Sequence, residues 1–366
     1  MINKKVIIAG GGTGGHIFPA IAIANALQKL QPGIQILFVG AKGRMEMEKV
    51  PQQGYKIEGL DIMGYNRSSL IKNIGLPFKI IHSFFQVRRI LNDFQPDAVV
   101  GVGGYSTYPM LRYAQQKGIP SFIHESNSFP GKSNKILGRK ATKIFVATDG
   151  MEAFFPKEKI VLTGNPVRSA ILNSTITRDN GVRFFKLDPQ KKTVLSIGGS
   201  LGARSINEAI AAHIDEFLKN DLQLIWQTGK PFIEKGKEIA KGKTNVWVDE
   251  FITDMEYAFA AADVVISRAG AMSIAELCVA VKPAVFVPYP HAAENHQSVN
   301  AKALVARDAA MMIPDSEAGE KLVAAVIALA QDKEKEVTLK TNISKLAFRD
   351  ADMRVAGEIL KSINTG

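Results

Sequence analysis

Short apolar runs alternate with helix-length segments along the whole chain. In the first half such runs fall at 4–9, 34–39, 97–101, 120–124 and 143–147, and in the second at 193–197, 222–227, 245–248, 263–267 and 283–287. Strands that alternate with helices assemble into parallel sheets, doubly wound when the loops after the strands carry glycines. The expected fold class is therefore α/β, with two Rossmann-like doubly wound parallel-sheet domains. The halves share a plan but not a sequence, so this is two similar folds and not a repeat. Turn residues at Thr163, Gly164, Asn165 and Pro166 set the boundary, giving domains at 1–163 and 164–342. A last helix over about 343–363 is predicted from Leu346, Met353, Ala356, Ile359, Leu360 and Ile363, near helical spacing.

Two glycine-rich loops occupy matching places in the halves. Gly10-Gly11-Gly12-Thr13-Gly14-Gly15-His16 follows Val6-Ile7-Ile8-Ala9, and Gly198-Gly199-Ser200-Leu201-Gly202 follows Thr193-Val194-Leu195-Ser196-Ile197. A junction of strand, loop and helix presents unpaired N–H groups at the positive end of a helix dipole, and glycines let an anion approach with no Cβ in the way. Both loops suit phosphate, and two of them suggest domains facing a cleft with a phosphorylated ligand between them.

Composition narrows the class. With 366 residues, 46% apolar and 22% charged, the chain is long enough for two cores. The lone Cys278 sits in an apolar helical stretch and reads as a small buried hydrophobe, so no disulfide framework is expected. The longest stretch without Asp, Glu, Lys or Arg, 6–28, contains five glycines and Pro19, which argues against a membrane span. Net charge is +11, and residues 1–165 carry 21 Lys and Arg against 10 Asp and Glu, whereas 166–366 carry 25 of each. A one-sided basic field suits an anionic surface met by the first domain alone, or a solubilising surface without a partner. Residues 64–92 bear on that choice. Ile74, Pro77, Phe78, Ile81, Phe84 and Phe85 lie among Arg67, Lys72, Lys79, Arg88 and Arg89. Phenylalanines beside cations suit anionic membrane lipid, with Ile74, Phe78, Phe84, Arg88 and Arg89 as the membrane face. Packing on the sheet is the competing reading for Ile81 and Phe85.

The first loop matches G-x-G-x-x-G through Gly10, Gly12 and Gly15. A dinucleotide site also needs an acid near the end of the second strand, and that strand runs into Gly40-Ala41-Lys42, so an NAD-dependent Rossmann oxidoreductase is the alternative reading. Neither loop is followed by Gly-Lys-Ser or Gly-Lys-Thr, which excludes a P-loop nucleotidase. In the second half Ser267-Arg268-Ala269-Gly270-Ala271-Met272-Ser273-Ile274-Ala275-Glu276 follows a strand and opens a helix. Its small residues let a ligand lie close to the helix start. Glu276 can accept hydrogen bonds from two vicinal hydroxyls, as a ribose offers, or can be a solvated helix carboxylate. No cofactor or metal is expected: Asp350-Ala351-Asp352 falls inside the predicted last helix as a solvated face, and His291 and His296 lack partners at metal spacing.

Seven motifs then stand in a fixed order: Gly-Gly-Thr-Gly-Gly-His at 11–16, Gly-Gly-Tyr at 103–105, His-Glu-Ser-Asn at 124–127, Gly-Asn-Pro-Val-Arg at 164–168, Gly-Gly-Ser-Leu-Gly-Ala at 198–203, Arg-Ala-Gly-Ala-Met-Ser at 268–273, and Gln297 with Asn300-Ala301. In this order the chain resembles the MurG family, the bacterial N-acetylglucosaminyltransferases that convert lipid I to lipid II in peptidoglycan synthesis. The resemblance implies a GT-B architecture, with the acceptor on the first domain, UDP-N-acetylglucosamine mostly on the second, and the helix at about 343–366 packing back on the first. It implies that Ser200 and neighbouring N–H groups hold the diphosphate, Glu276 the ribose, and Ile252 the uracil through its backbone. Arg168 would lie near uracil or diphosphate, Ala271, Met272, Ser273, Ile274 and Ala275 would line the nucleotide, and Gln297 would meet sugar hydroxyls. Thr13, Gly14, Gly15 and Asn127 would close on the sugar and the acceptor diphosphate. The acceptor would be undecaprenyl-diphosphate-linked muramoyl pentapeptide, met at the cytoplasmic face of the cell membrane by a peripheral protein, with no nucleic acid and with cell-wall or division proteins left open as partners.

Transfer needs a base for the attacking hydroxyl. His16 is the favoured group, standing at the phosphate loop, because an imidazole is the side chain suited to take up a proton near neutral pH; its alternative role is a hydrogen bond to acceptor phosphate. Glu125 is the second candidate, as base or as the group that orients His16. A non-catalytic nucleotide-sugar binding module is the third class, one that would bind donor without turnover.

Overall fold

The computed structural model describes residues 4–62, 76–199, 201–292 and 295–364, with the backbone alone for 76–81. The chain divides into two compact units, Met1–Arg168 with Phe348–Gly366, and Ser169–Ala347.

The first unit is built on β1 (Lys5–Ala9), β2 (Gln35–Ala41), β3 (Lys56–Leu60), β4 (Ala98–Gly101), β5 (Ser121–Glu125), β6 (Lys143–Val146) and β7 (Ile160–Leu162). They form a sheet in the order β3-β2-β1-β4-β5-β6-β7, and every pair is parallel. Ile7 stands opposite Leu37 on one side and Val99 on the other. Successive side chains of a strand point to opposite faces, so β1 feeds two cores. Val6 and Ile8 meet the helix Gly14–Leu30, whereas Ile7 and Ala9 meet the helices Leu76–Phe94 and Thr107–Gln116 through Val87, Leu91, Met110 and Leu111. Each fully buried Ile or Leu of this kind contributes about 1.5–3 kcal/mol.

The second unit repeats the plan with β8 (Lys192–Ile197), β9 (Leu222–Gln227), β10 (Val246–Asp249), β11 (Val264–Ser267), β12 (Ala284–Phe286) and β13 (Met311–Met312). The order is β10-β9-β8-β11-β12-β13, again all parallel. In each sheet the winding direction reverses beside the first strand, between β1 and β4 and between β8 and β11. In open α/β sheets such a switch point opens a crevice at the carboxyl ends of the strands, and both glycine loops lie there.

β3, β7 and β13 were not anticipated from the apolar pattern. All three sit at sheet edges. β3 carries the charged Lys56 and Glu58, and β7 and β13 have only three and two residues, so no apolar run marks them.

The predicted last helix is observed as Ala351–Asn364 in the first unit, and residues 343 and 344 instead end a separate helix, Lys333–Ser344, of the second. The helix Ala351–Asn364 starts where the Asp350 carbonyl accepts from the Arg354 N–H and the Asp350 carboxylate from Arg354 Nε. Val355, Ala356, Ile359, Leu360 and Ile363 are buried in one core with Ile17, Ile21 and Ala24 of the helix Gly14–Leu30. Asp350-Ala351-Asp352 therefore lies at a helix start and not inside a helix. Nor is it a solvated face throughout, because Asp352 is partly buried and desolvation raises its carboxyl above the usual range.

On the helix Leu76–Phe94, Ser83, Val87, Ile90 and Leu91 face the core. Phe85 is 63% exposed, so the core reading fails for it, while Phe84 is half-buried and Arg88 and Arg89 are exposed. Ile74 lies outside the described residues, and of Phe78 and Ile81 only the backbone is described. Among the described residues no helix is long and apolar enough to cross a membrane.

Candidate active site

In the first unit the chain leaves β1 through Gly10, Gly11 and Gly12 and enters the helix Gly14–Leu30 at Thr13, whose side chain makes no capping bond. The helix has no acid in its first turn, and its start at Gly14 and Gly15 presents N–H groups. Gly12 has φ +88°, a conformation that favours glycine. The loop is tied to its neighbours by Gly10 N–H donating to Val39 O and Gly11 N–H to Gly103 O.

His16 stands in the first turn. Its Nδ1 lies 3.0 Å from the Gly11 carbonyl, which can only accept, so Nδ1 carries the proton and a neutral ring keeps the Nε2 lone pair available. The Thr13 hydroxyl is 3.4 Å from the same Nδ1. A second histidine, His124 at the end of β5, is 1% exposed, with Nε2 at 3.4 Å from the Gly164 carbonyl and Nδ1 at 3.4 Å from Ser126 Oγ. Burial holds its pKa down to about 4, so it is neutral near pH 7.

Glu125 does not orient His16. Its Oε1 accepts from the backbone and side-chain N–H groups of Asn127, and its Oε2 from Asn134 at 2.8 Å. The group that orients His16 is the Gly11 carbonyl. Asn127, half-exposed, is thereby fixed by Glu125, and Arg168 lies over the Phe18 ring, 5.0 Å from its centroid.

One carboxylate escaped the sequence reading. Glu46, five residues beyond β2, is buried, and its two oxygens accept the N–H groups of Gly12 at 2.7 Å and Ala41 at 3.0 Å. The acid thought missing after the second strand is thus present. It is occupied by two backbone amides and not placed for a ribose. This also corrects the expectation that the whole first loop is open to phosphate, since the Gly12 amide already holds an anion.

In the second unit the loop after β8 packs on the loop after β9: a Cβ on Gly202 would fall 2.0 Å from the Thr228 carbonyl, so only glycine fits there. Ser200 lies outside the described residues. Gln227, at the end of β9 and buried, donates from Nε2 to Gly199 O at 2.9 Å and accepts the Ile252 N–H on Oε1 at 3.2 Å. One side chain therefore joins the glycine loop to Ile252 and occupies the Ile252 N–H.

The helix Ala271–Ala280 starts at Gly270 with no side-chain cap and no acid in its first turn. Residues 271–275 are half-exposed and Glu276 behind them is 7% exposed, which rules out the solvated-carboxylate reading. Arg268 pins the surrounding loops. It donates to the Val287 carbonyl at 3.0 Å, to Ser205 Oγ at 3.1 Å and to Asp315, and it lies over the Tyr289 ring. Gln297 accepts the Tyr289 N–H on Oε1 at 2.9 Å, and Asn300 donates to Ala269 O at 3.2 Å. The buried Cys278 thiol is pushed up to about 12, the behaviour of a core residue.

Each unit thus gathers its share of the predicted residues at the carboxyl ends of its strands: Thr13, Gly14, Gly15, His16, Glu125 and Asn127 in the first, and Ile252, 271–276 and Gln297 in the second. The sequence reading passed over Glu46, His124, Gln227 and Arg268. His124 and Arg268 stood inside quoted motifs without a role. Gln227, a polar residue closing the apolar run 222–227, carried a signal that could have been read.

Comparison with known proteins agrees with this arrangement. Residues 6–146 match the glycosyltransferase family 28 N-terminal domain and residues 193–355 the glycosyltransferase family 28 C-terminal domain. The protein called UDP-N-acetylglucosamine--N-acetylmuramyl-(pentapeptide) pyrophosphoryl-undecaprenol N-acetylglucosamine transferase in Parabacteroides distasonis is 49% identical over 366 residues, 100% of both chains. Its counterpart of the same name in Phocaeicola vulgatus is 49% identical over 362 residues, 98% of this chain and 96% of the relative. The crystal structure of Acinetobacter baumannii MurG superposes with a TM-score of 0.77 at 30% identity, covering 98% of this chain and 99% of the other. A UDP-GlcNAc 2-epimerase from Neisseria meningitidis, at 18% identity and a TM-score of 0.68, shares the fold. The chain is a two-domain glycosyltransferase of GT-B architecture and belongs to glycosyltransferase family 28, within its MurG group.

Proposed function

We propose that this protein transfers N-acetylglucosamine from UDP-N-acetylglucosamine to lipid-linked N-acetylmuramoyl-pentapeptide, the step from lipid I to lipid II, with His16 as the base. Near-half identity over the whole length to transferases of that name supports the reaction. The observation that carries the role of His16 is its bond to the Gly11 carbonyl, which keeps the proton on Nδ1 and the basic lone pair on Nε2.

The acceptor hydroxyl attacks the anomeric carbon and passes its proton to His16 Nε2, while the bond from that carbon to the diphosphate breaks and UDP departs with the electron pair. A single in-line displacement turns an α-linked donor into a β product. The developing charge on UDP meets the amides of the second glycine loop and the start of the helix Ala271–Ala280, which carries no competing acid. Glu276 takes the ribose hydroxyls, the Ile252 carbonyl the uracil edge, and the Gln297 side chain the sugar. The amides at Gly14 and Gly15, with Thr13 and Asn127, take the acceptor diphosphate. The exposed Phe85, Arg88 and Arg89 suit an anionic lipid surface from which the lipid-linked acceptor is drawn, which would place the protein peripherally at the cytoplasmic face of the cell membrane.

A radiolabel transfer assay tests the reading, offering UDP-N-acetylglucosamine, other UDP-sugars and NADH side by side. Sugar incorporation into the lipid-linked acceptor is expected from UDP-N-acetylglucosamine. Tight NADH binding without transfer would turn the assignment to an oxidoreductase, and donor binding without turnover to a binding module.

A further inference from the structure

The first glycine loop is folded around an anion supplied by the chain itself. Glu46 is only 1% exposed, and two glycines make room for it: a Cβ on Gly11 would fall 2.3 Å from its carboxyl carbon, and a Cβ on Gly40 would fall 2.5 Å from its Cγ. The amide it grips at 2.7 Å, Gly12 N–H, belongs to the same planar peptide group as the Gly11 carbonyl, and that carbonyl accepts His16 Nδ1–H at 3.0 Å. The other carboxylate oxygen is anchored to Ala41 N–H at the end of β2. A rigid plane held at its N–H edge by a buried carboxylate has its C=O edge aimed and polarised, because hydrogen bonds in a chain strengthen one another at low dielectric.

We infer that Glu46 is a positioning residue for the transfer reaction, fixing through the Gly11–Gly12 peptide plane the tautomer and orientation of His16. It touches neither substrate nor the reacting atoms. The inference rests on His16 as the base in the proposed reaction, and its test includes a readout independent of turnover.

The full chain labelled with 15N-histidine is studied by long-range 1H–15N correlation, with the His16 ring identified by its loss in His16→Ala. In the native chain the neutral ring of His16 carries its proton on Nδ1. In Glu46→Ala the ratio of that tautomer to the Nε2–H form drops on the order of 10-fold, the carbonyl no longer being aimed. In the transfer assay Glu46→Ala lowers kcat on the order of 10-fold with the KM for UDP-N-acetylglucosamine unchanged, and adds no further loss in a His16→Ala background. Added formate, which fits the vacated pair of amides, restores kcat saturably. Glu46→Gln keeps one acceptor oxygen but turns an NH2 toward an N–H donor, gives an intermediate effect, and carries the test should Glu46→Ala fail to fold. An unchanged tautomer in both folded variants overturns the inference, as does an equal fold-loss of kcat with and without His16. A native chain that transfers to no acceptor would overturn the proposed function, while the tautomer shift would still decide the role of Glu46.

Discussion

Gly103 offers a direct probe of His16, because it lies beside the ring without making a bond to it. It has φ +98°, and a Cβ added there would stand 2.7 Å from both Cδ2 and Nε2 of His16. Non-bonded carbon atoms rest at about 3.5–4.0 Å, so Gly103→Ala must drive the imidazole away by about 1 Å. That displacement stretches the Nδ1 bond to the Gly11 carbonyl beyond hydrogen-bonding range and costs about 1 kcal/mol. The larger effect is on rate, since a misplacement of about 1 Å can cost about 100-fold. The alanine also carries positive-φ strain of about 1–2 kcal/mol. Gly118→Ala separates the two effects, because Gly118 has φ +72° and nothing within 4 Å of the added Cβ. Both variants should unfold at reduced denaturant concentrations, Gly103→Ala being the less stable by about 1 kcal/mol. Only Gly103→Ala should lose about 100-fold in kcat, read as UDP release under saturating donor and acceptor. A folded Gly103→Ala protein that turns over within about two-fold of Gly118→Ala would show that the position of the His16 ring does not matter to the reaction.

Three further outcomes are expected. Glu276→Ala should weaken UDP-sugar binding by about 2–3 kcal/mol in calorimetry, and a 2′-deoxyribose donor should lose much of that energy against the native chain and little more against the variant. Burial holds His124 neutral down to about pH 4, whereas in the unfolded chain a histidine takes up its proton near pH 6.5. The unfolded state then binds more protons between those values, so stability should fall as pH drops from about 6.5 to about 4, by about 3 kcal/mol in all, and His124→Asn should flatten that slope in urea titrations. Phe85→Ser should reduce co-sedimentation with anionic vesicles at every salt concentration, and Arg88→Ala with Arg89→Ala should reduce it chiefly at low salt; equal binding of the native chain to neutral and anionic vesicles would remove the electrostatic part of this reading.

The interior strands were legible because each is a run of apolar residues closed by turn residues, and a parallel sheet covered by helices demands such runs. The edge strands β3, β7 and β13 were not, because an edge needs neither length nor an apolar face. The last helix was started too early because Leu346 extends the apolar spacing backward, while the bonds of Arg354 to Asp350 that set its start are visible only in three dimensions. At the site, glycines, His16, Asn127 and residues 271–276 announced themselves through loop chemistry. What stayed hidden were partners brought in from elsewhere in the chain: Glu46, which reaches Gly12 across 34 positions, and Gln227, which reaches Ile252 across 25. Spacing rules read neighbours along a strand or helix and have no term for such meetings.

The first unit is closed by a segment made after the whole of the second. Its core has Ile17, Ile21 and Ala24 on one helix and Val355, Ala356, Ile359, Leu360 and Ile363 on the other, with the entire second unit between them in the chain. During synthesis the second unit is a continuous segment whose sheet is complete before the helix Ala351–Asn364 emerges. The first unit must wait for it with an apolar stripe uncovered. A chain cut short before residue 351 would carry His16 on a helix that lacks its cover. Assembly of the first unit thus waits on synthesis of the whole of the second, and a product terminated before residue 351 carries an exposed surface that chaperones and proteases recognise.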